Sequence, residues 1–523
     1  MSVCSECGGL SSPLAEEHDS KINVGVTLGT LARHLELMNT NAPPEGPELS
    51  FIRSVVSKTE SRLAYLDGQI FRHRDRLREL EEERAALWRY HTPNKAILSP
   101  LRRMPPEVLA EIFLWTLPTL QTAFDRSAFG VKRSPWLLTQ ISSRWRAVAV
   151  STPALWSHVI VACDHEHANP LSIVKSQIER AQKLKIHFYG SEKRHAQPQI
   201  EIFRFLAEHS SRWEELSIGL TSHLFPLLGT LKHRLPALRR LWVEWDGPES
   251  QAGVEFIDCF QPAPSLLDVA ICNDYRSISI PLPAHQLTRY NLDAPWKVHA
   301  GILKRAHNLV QARIDVKFDA DEPWPDHSNA DDSLRLRRLR RLYLSHPGIL
   351  NYLTTPALQA IYVGIEDDEE PIDFLEPFLI RSLCNLTRLC LAGFPNSHQL
   401  TGILRKVPSI VELEILVTRL DHTIPDIIGN TTVAPQLLHI YFGWVPDTYV
   451  DCMPYLEMLR SRWNAENCAL KTAGLLVNSE SRPAPAALRS LDALRQDGLD
   501  ILLLQGTRAS DALHAWAYGS SWN

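Results

Sequence analysis

Ten copies of one short pattern (apolar, two variable, apolar, one variable, apolar) run through the C-terminal part of this chain. They are Trp213/Leu216/Ile218, Leu238/Leu241/Val243, Leu266/Val269/Ile271, Leu287/Tyr290/Leu292 and Leu309/Ala312/Ile314. The series continues as Leu339/Leu342/Leu344, Leu358/Ile361/Val363, Leu386/Leu389/Leu391, Ile410/Leu413/Ile415 and Leu437/Ile440/Phe442. A run this short, with alternate residues apolar, suits a strand buried on one face. Helix-like segments lie between copies, as at 200–208 and 372–383. One strand and one helix per period cannot bury their apolar sides alone, so each must stack on its neighbours, which is the logic of a solenoid. Pro485 to Leu494 reads as a helix and Leu499 to Leu504 as a strand, together a terminal cap for the last apolar face.

The mean period from Trp213 to Leu437 is about 25 residues, inside the roughly 20–29 of leucine-rich repeats. The array resembles a divergent member of that class. The Asn or Cys usually found past the last apolar position is missing, and the intervals are uneven. Variable strand positions share the face opposite the apolar ones. They include Arg240, Trp242, Arg289, Arg313, Arg341, Tyr343, Tyr362, Arg388 and Tyr441, with Asn291, Gln311 and His439 among them. Arginines and large aromatics are common binding anchors, so this face is expected to hold a client protein carrying acidic or phosphorylated residues.

Ahead of the array, positions 52, 56, 59, 63, 66, 70, 73, 77, 80, 84 and 87 form a heptad seam: Ile, Val, Thr, Leu, Leu, Ile, His, Leu, Leu, Arg, Leu. The spacing predicts a helix over 49–92, stopped at His91-Thr92-Pro93-Asn94 because Pro disfavours helical geometry in the residue before it. A stripe this narrow needs a partner, either a second copy through residues 52–87 or another part of this chain. Residues 1–48, rich in Ser, Gly and Pro, read as a mostly disordered leader. The segments are thus 1–48, 49–92, a helical module at 93–161, the array with its cap at 162–506 and a tail at 507–523.

In the module, Pro105-Pro106 opens one helix, Ser134-Pro135 a second, and Trp145 lies in a third that stops at Thr152-Pro153. The stretch Ser99-Pro100-Leu101-Arg102-Arg103-Met104-Pro105-Pro106-Glu107-Val108-Leu109-Ala110-Glu111-Ile112-Phe113 opens it, and Trp145-Arg146-Ala147-Val148-Ala149-Val150-Ser151-Thr152-Pro153-Ala154-Leu155-Trp156 closes it. Together these blocks resemble an F-box of the fungal type, with Met104 in place of the usual Leu and a long insert from Pro118 to Arg133. The resemblance implies docking to a Skp-type adaptor, and through it to a cullin, by Pro105, Val108, Leu109, Ile112, Phe113 and Leu138. It assigns Trp145, Leu155 and Trp156 to the module's own core. The expected function is the substrate receptor of a ubiquitin ligase; the alternatives are a repeat scaffold without an adaptor, or an enzyme in an unrecognised fold.

Composition narrows the classes further. Lys+Arg 55 against Asp+Glu 60 leaves −5, which offers no basic field to nucleic acid or anionic membrane. No apolar run approaches the ~20 residues that span a bilayer, and the N-terminus lacks a secretory pattern, so a cytoplasmic or nuclear place is expected. Nine scattered cysteines do not describe a disulfide scaffold. Neither a phosphate-cradling loop nor a G-x-S-x-G or H-E-x-x-H motif occurs, so no catalytic role and no cofactor is expected. Cys4 with Cys7, and Cys163 with His165 and His167, are weak metal-ligand patterns. Asp319 to Asp332 and Glu366 to Glu370 read as solvated loops.

Overall fold

A computed structural model describes residues 28–117, 133–163, 171–317, 333–364, 371–393, 397–417, 423–444, 451–466, 468–478 and 484–517. The chain divides into two compact units, residues 1–105 and 106–523. In the first, α1 (Leu28–Asn39) stands where the disordered leader was expected, and α2 (Gly46–Ile97) is a single helix of 52 residues. Residues 1–27 of the leader lie outside the described residues. Glu48 receives the Glu45 backbone N–H at 2.8 Å and the Arg33 guanidinium at 3.1 Å, which fixes the start of α2. The expected stop at Pro93 does not occur, and Pro93 lies inside the helix. Proline removes one backbone donor. Here Arg89, one turn back, is exposed, and the Asn94 side-chain amide donates to the Tyr90 carbonyl at 2.7 Å.

The second unit opens with α3 (Pro106–Trp115), α4 (Leu138–Ile141) and α5 (Ser143–Ser151). The boundary therefore falls inside the expected module of 93–161, between Pro105 and Pro106. The second helix does not start at Ser134-Pro135. Residues after Arg133 form tight turns, with Leu138 N–H bonded to Pro135 O and Thr139 N–H to Trp136 O, and only one α-turn follows. Ser142 caps α5 by accepting the Trp145 N–H at 3.2 Å.

Among the described residues, sixteen strands follow. They are β1 (His158–Ala162), β2 (Leu184–Tyr189), β3 (Trp213–Leu220), β4 (Arg240–Trp245), β5 (Asp268–Ile271) and β6 (Arg289–Ala294). Next come β7 (Gln311–Val316), β8 (Leu334–Arg335), β9 (Arg341–Leu344), β10 (Leu353–Thr354) and β11 (Ala360–Gly364). The last are β12 (Arg388–Gly393), β13 (Glu412–Val417), β14 (His439–Trp444), β15 (Thr472–Val477) and β16 (Asp500–Gln505). Strands β8 and β10 pair apart; the other fourteen form one parallel sheet in chain order. All ten sequence copies are strands of this sheet, and their thirty apolar residues are at most 4% exposed.

The array also reaches beyond its expected limits. Trp156/Val159/Val161, Ala181/Leu184/Ile186 and Leu470/Ala473/Leu475 obey the same pattern, all nine buried, and supply β1, β2 and β15. The sheet thus begins at His158, and Trp156 belongs to the helical module and to the first repeat at once. At the other end, the expected tail at 507–523 holds a helix, Gly506–Ala517. Its Ala509 is buried in a cluster with Cys390, Leu416 and Leu476.

Successive repeats are tied by more than strand pairing. Arginines reach back to backbone carbonyls at the end of the preceding helix or turn, where intrahelical partners run out. Arg212 donates to Gln182 O at 2.9 Å and Ile178 O at 3.1 Å. Arg381 donates to Leu350 O at 2.6 Å and Leu353 O at 3.0 Å. Arg462 donates to Ile428 O at 2.8 Å, Val433 O at 3.1 Å and Ala434 O. Residues just before the first apolar position do similar work: Ser265 bonds Pro236 O, Gln286 bonds Ala263 O, and Asn308 bonds His285 O.

Candidate recognition surfaces

Two surfaces carry the residues singled out in the sequence. The first is the helical module. In α3 the side chains divide sharply: Leu109 and Phe113 are fully buried, while Val108, Ile112 and Trp115 are 46%, 38% and 88% exposed. These three fall at i, i+4 and i+7, on one face. Leu137 and Ile141, one turn apart around α4, are also exposed, whereas Leu138 is buried. Pro105, in the first unit, is exposed. Of the six expected adaptor residues, Leu109, Phe113 and Leu138 are therefore interior, because the module needs them to hold its own helices together. Trp115, Leu137 and Ile141 join the exposed apolar set, and their helical spacing was the available signal.

The expected core residues sit inside. Leu155 and Trp156 are buried, and the Trp156 indole donates to Ala149 O at 2.8 Å. Trp145 is half-buried, its ring 4.8 Å from that of Phe113. The Arg180 guanidinium, at the end of the helix Leu171–Arg180, lies 4.4 Å from the Trp156 ring and 5.1 Å from that of Trp136. Cation–π contacts thus join the module to the first repeat.

The second surface is the sheet face opposite the buried apolar positions. Register sets its side chains in rows across the strands. One row reads Lys185, Glu215, Arg240, Asp268, Arg289, Gln311, Arg341, Ala360, Arg388, Glu412 and His439. Neighbouring strands lie ~4.8 Å apart, so alternating signs attract along the row. Arg240 pairs with Glu215 at 3.2 Å and with Asp268 at 3.4 Å. Arg388 pairs with Glu412 at 3.6 Å and with the buried Glu414. Sequence reasoning missed these carboxylates, although stacking the ten copies in register displays them.

The middle row contains Trp242, Asn291, Arg313, Tyr343, Tyr362 and Tyr441. Tyr343 and Tyr362 stack with ring centres 4.2 Å apart, and Arg313 lies 4.4 Å from the Tyr343 ring. The Arg313 side chain is only 14% exposed and bonds Asp315 at 3.3 Å. Its charge is balanced within the face, so it is not available to an acidic client as expected. Arg341 differs: it is exposed, with Gln311 and Ala360 beside it in register. The third row is acidic, with Glu244, Asp293 and Asp315 at the strand ends. Burial raises the carboxyl pKa of both Glu244 and Asp293, while Lys317, 3.1 Å from Asp293, opposes the rise there.

The helix Gly506–Ala517 covers part of this face. Cys390, Leu416 and Leu476 alternate with the inward residues of β12, β13 and β15, and Tyr362 packs on the same cluster. The open part therefore lies towards β4–β9, where Arg341 is exposed and Arg240, Trp242, Arg289 and Tyr343 are partly buried.

Among the described residues no group of three metal-ligating side chains comes together, and no helix is long and apolar enough to cross a membrane. Cys4, Cys7, His165, His167, most of the insert at 118–133 and the acidic stretches 319–332 and 366–370 lie outside the described residues.

Comparison with known proteins adds little to this geometry. No family model and no curated protein matches the chain. A solved structure of a protein from Bacteroides fragilis is 12% identical over 59% of this chain and 82% of its own, with a TM-score of 0.31. A likeness that low carries no argument about fold or function.

Proposed function

We propose that this chain is a non-catalytic substrate receptor of the F-box kind, whose array is a divergent leucine-rich repeat. The helical module docks a Skp-type adaptor and through it a cullin. The open face of the sheet holds a client, and a separate conjugating enzyme supplies the chemistry. Rate then comes from raised effective concentration.

One observation carries the reading: α3 turns Val108, Ile112 and Trp115 outward while Leu109 and Phe113 anchor it from below. A helix so anchored can keep an apolar face towards solvent without unfolding, which is what docking requires. Mixing the purified chain with a Skp-type adaptor at micromolar concentration should give a complex on size exclusion. The double substitution Val108→Asp and Ile112→Asp should abolish it with unchanged circular dichroism, since both side chains are exposed. Absence of any complex with the folded wild-type chain overturns the proposal.

The second reading is a repeat scaffold without ligase association. The one-turn length of α4 and the burial of Leu138 favour it, because they shrink the apolar surface offered. The same mixing experiment separates the two.

A further inference from the structure

We infer that α2 pairs with α2 of a second copy of this chain as a parallel, in-register two-stranded coiled coil. The helix has no buried residue along its 52 positions. Its seam is open: Leu63, Ile70, Leu77, Leu80 and Leu87 are 59%, 47%, 56%, 46% and 63% exposed. An apolar stripe sustained over more than three or four heptads is the signature of such pairing.

The flanking charges choose the occupant and its direction. With Val56, Leu63, Ile70, Leu77 and Arg84 at a, and Ile52, Thr59, Leu66, His73, Leu80 and Leu87 at d, the g residues are Val55, Arg62, Gln69, Arg76 and Glu83. In a parallel pair each g residue faces the e residue five positions later on the other helix. Those partners are Glu60, Asp67, Arg74, Glu81 and Trp88. Arg62 meets Asp67, Arg76 meets Glu81, and no like charges meet. Each pair occurs twice by symmetry.

The antiparallel alignments that overlap the seam fare worse. One sets Asp67 against Asp67 and Arg62 against Arg76; the other sets Glu60 against Glu81. Within one helix Arg76 already bonds Glu79 at 2.9 Å, but both side chains are more than 60% exposed, so exchanging that bond costs little. Thr59, His73 and Arg84 interrupt the seam, and polar core positions fix register at some cost in stability.

Sedimentation velocity on the full chain at micromolar concentration should give a species of twice 59.3 kDa. Arg76→Glu places Glu against Glu81 twice and should weaken the dimer about tenfold. Adding Glu81→Arg should restore it. Arg76 is an exposed side chain, so folding is not at stake, and helicity by circular dichroism confirms this. A wild-type chain that stays monomeric at about 100 µM overturns the inference. So does an Arg76→Glu dimer of equal or greater strength, the outcome both antiparallel alignments require.

Discussion

His187 occupies a middle-row position of β2 and is 4% exposed. Neither ring nitrogen finds a hydrogen-bond partner among the described residues, and the His158 ring stacks 6.3 Å away. Burial pushes its pKa down to about 3, and that of His158 to about 4. The sign follows from linkage. Below pH ~6.5 the unfolded chain binds a proton that folded His187 refuses until about pH 3. The stability is fully present above 6.5 and falls by about 1.4 kcal/mol per pH unit below it. His187→Leu should therefore flatten the acid limb of a denaturant-midpoint profile between pH 6 and 4 by one proton, and should not lower stability at pH 7. An unchanged slope would show that His187 titrates normally. Nothing in the sequence marked this residue, because a lone His in a strand looks the same whether buried or not. The arginines of the face were legible as positions, since alternation forces them there. Their neutralisation by Glu215, Asp268 and Glu412 was not, because it depends on which residue stands beside which in register.

At the scale of elements, most strands were legible as apolar triads, β7 even with Ala312 at one position. β2 and β15 carry Ala181 and Ala473, small residues with little hydrophobic signal of their own, and β1 escaped because its Trp156 had been assigned to the helical module. The helix α2 overran Pro93 because a proline weakens a helix by a finite amount and the other turns outweigh it. The ties between repeats were invisible to periodicity, since they join residues roughly 30 positions apart through backbone carbonyls. Arg462, on the helix Met453–Trp463, is the clearest: it is 2% exposed and bonds Ile428 O, Val433 O and Ala434 O of the preceding repeat. Burial lowers its pKa, yet the planar fork still matches several carbonyls at once. Arg462→Met keeps the stem and removes the donors that reach Ile428 O and Val433 O, while Ala434 O keeps only the Leu437 N–H. A loss on the order of 3–5 kcal/mol is expected by urea unfolding. Arg462→Lys should recover little of it, because one ammonium cannot reproduce the spread of the fork. Full recovery with Lys would mean that charge, rather than geometry, matters there.

On the scale of the whole molecule, an array of stacked repeats has two ends, and each end leaves an apolar face that something must cover. At the N-terminal end the module supplies Trp156 and Leu155 against β1 and the helix Leu171–Arg180. At the C-terminal end β16 is the last strand, and the helix Gly506–Ala517 turns back from it across the outward sheet face, over Leu476 and Leu416. The second arrangement left no periodic signal, because Ala509 and Ala512 are the contact residues and neither stands out as apolar. In a quasi-one-dimensional fold, damage should spread only to near neighbours. Ending the chain after Gln505 strips the cover from Leu416, Leu476 and Cys390, and the strands beneath them should open first. Hydrogen exchange should then quicken in β12–β16, while amides of β3–β7, several repeats away, keep their wild-type protection. Because the same helix lies over the face that carries Tyr362, the truncated chain also exposes more of that sheet face. Uniformly faster exchange across all fourteen strands would show that the sheet unfolds as one cooperative block, and the repeat-by-repeat account of its stability would fall.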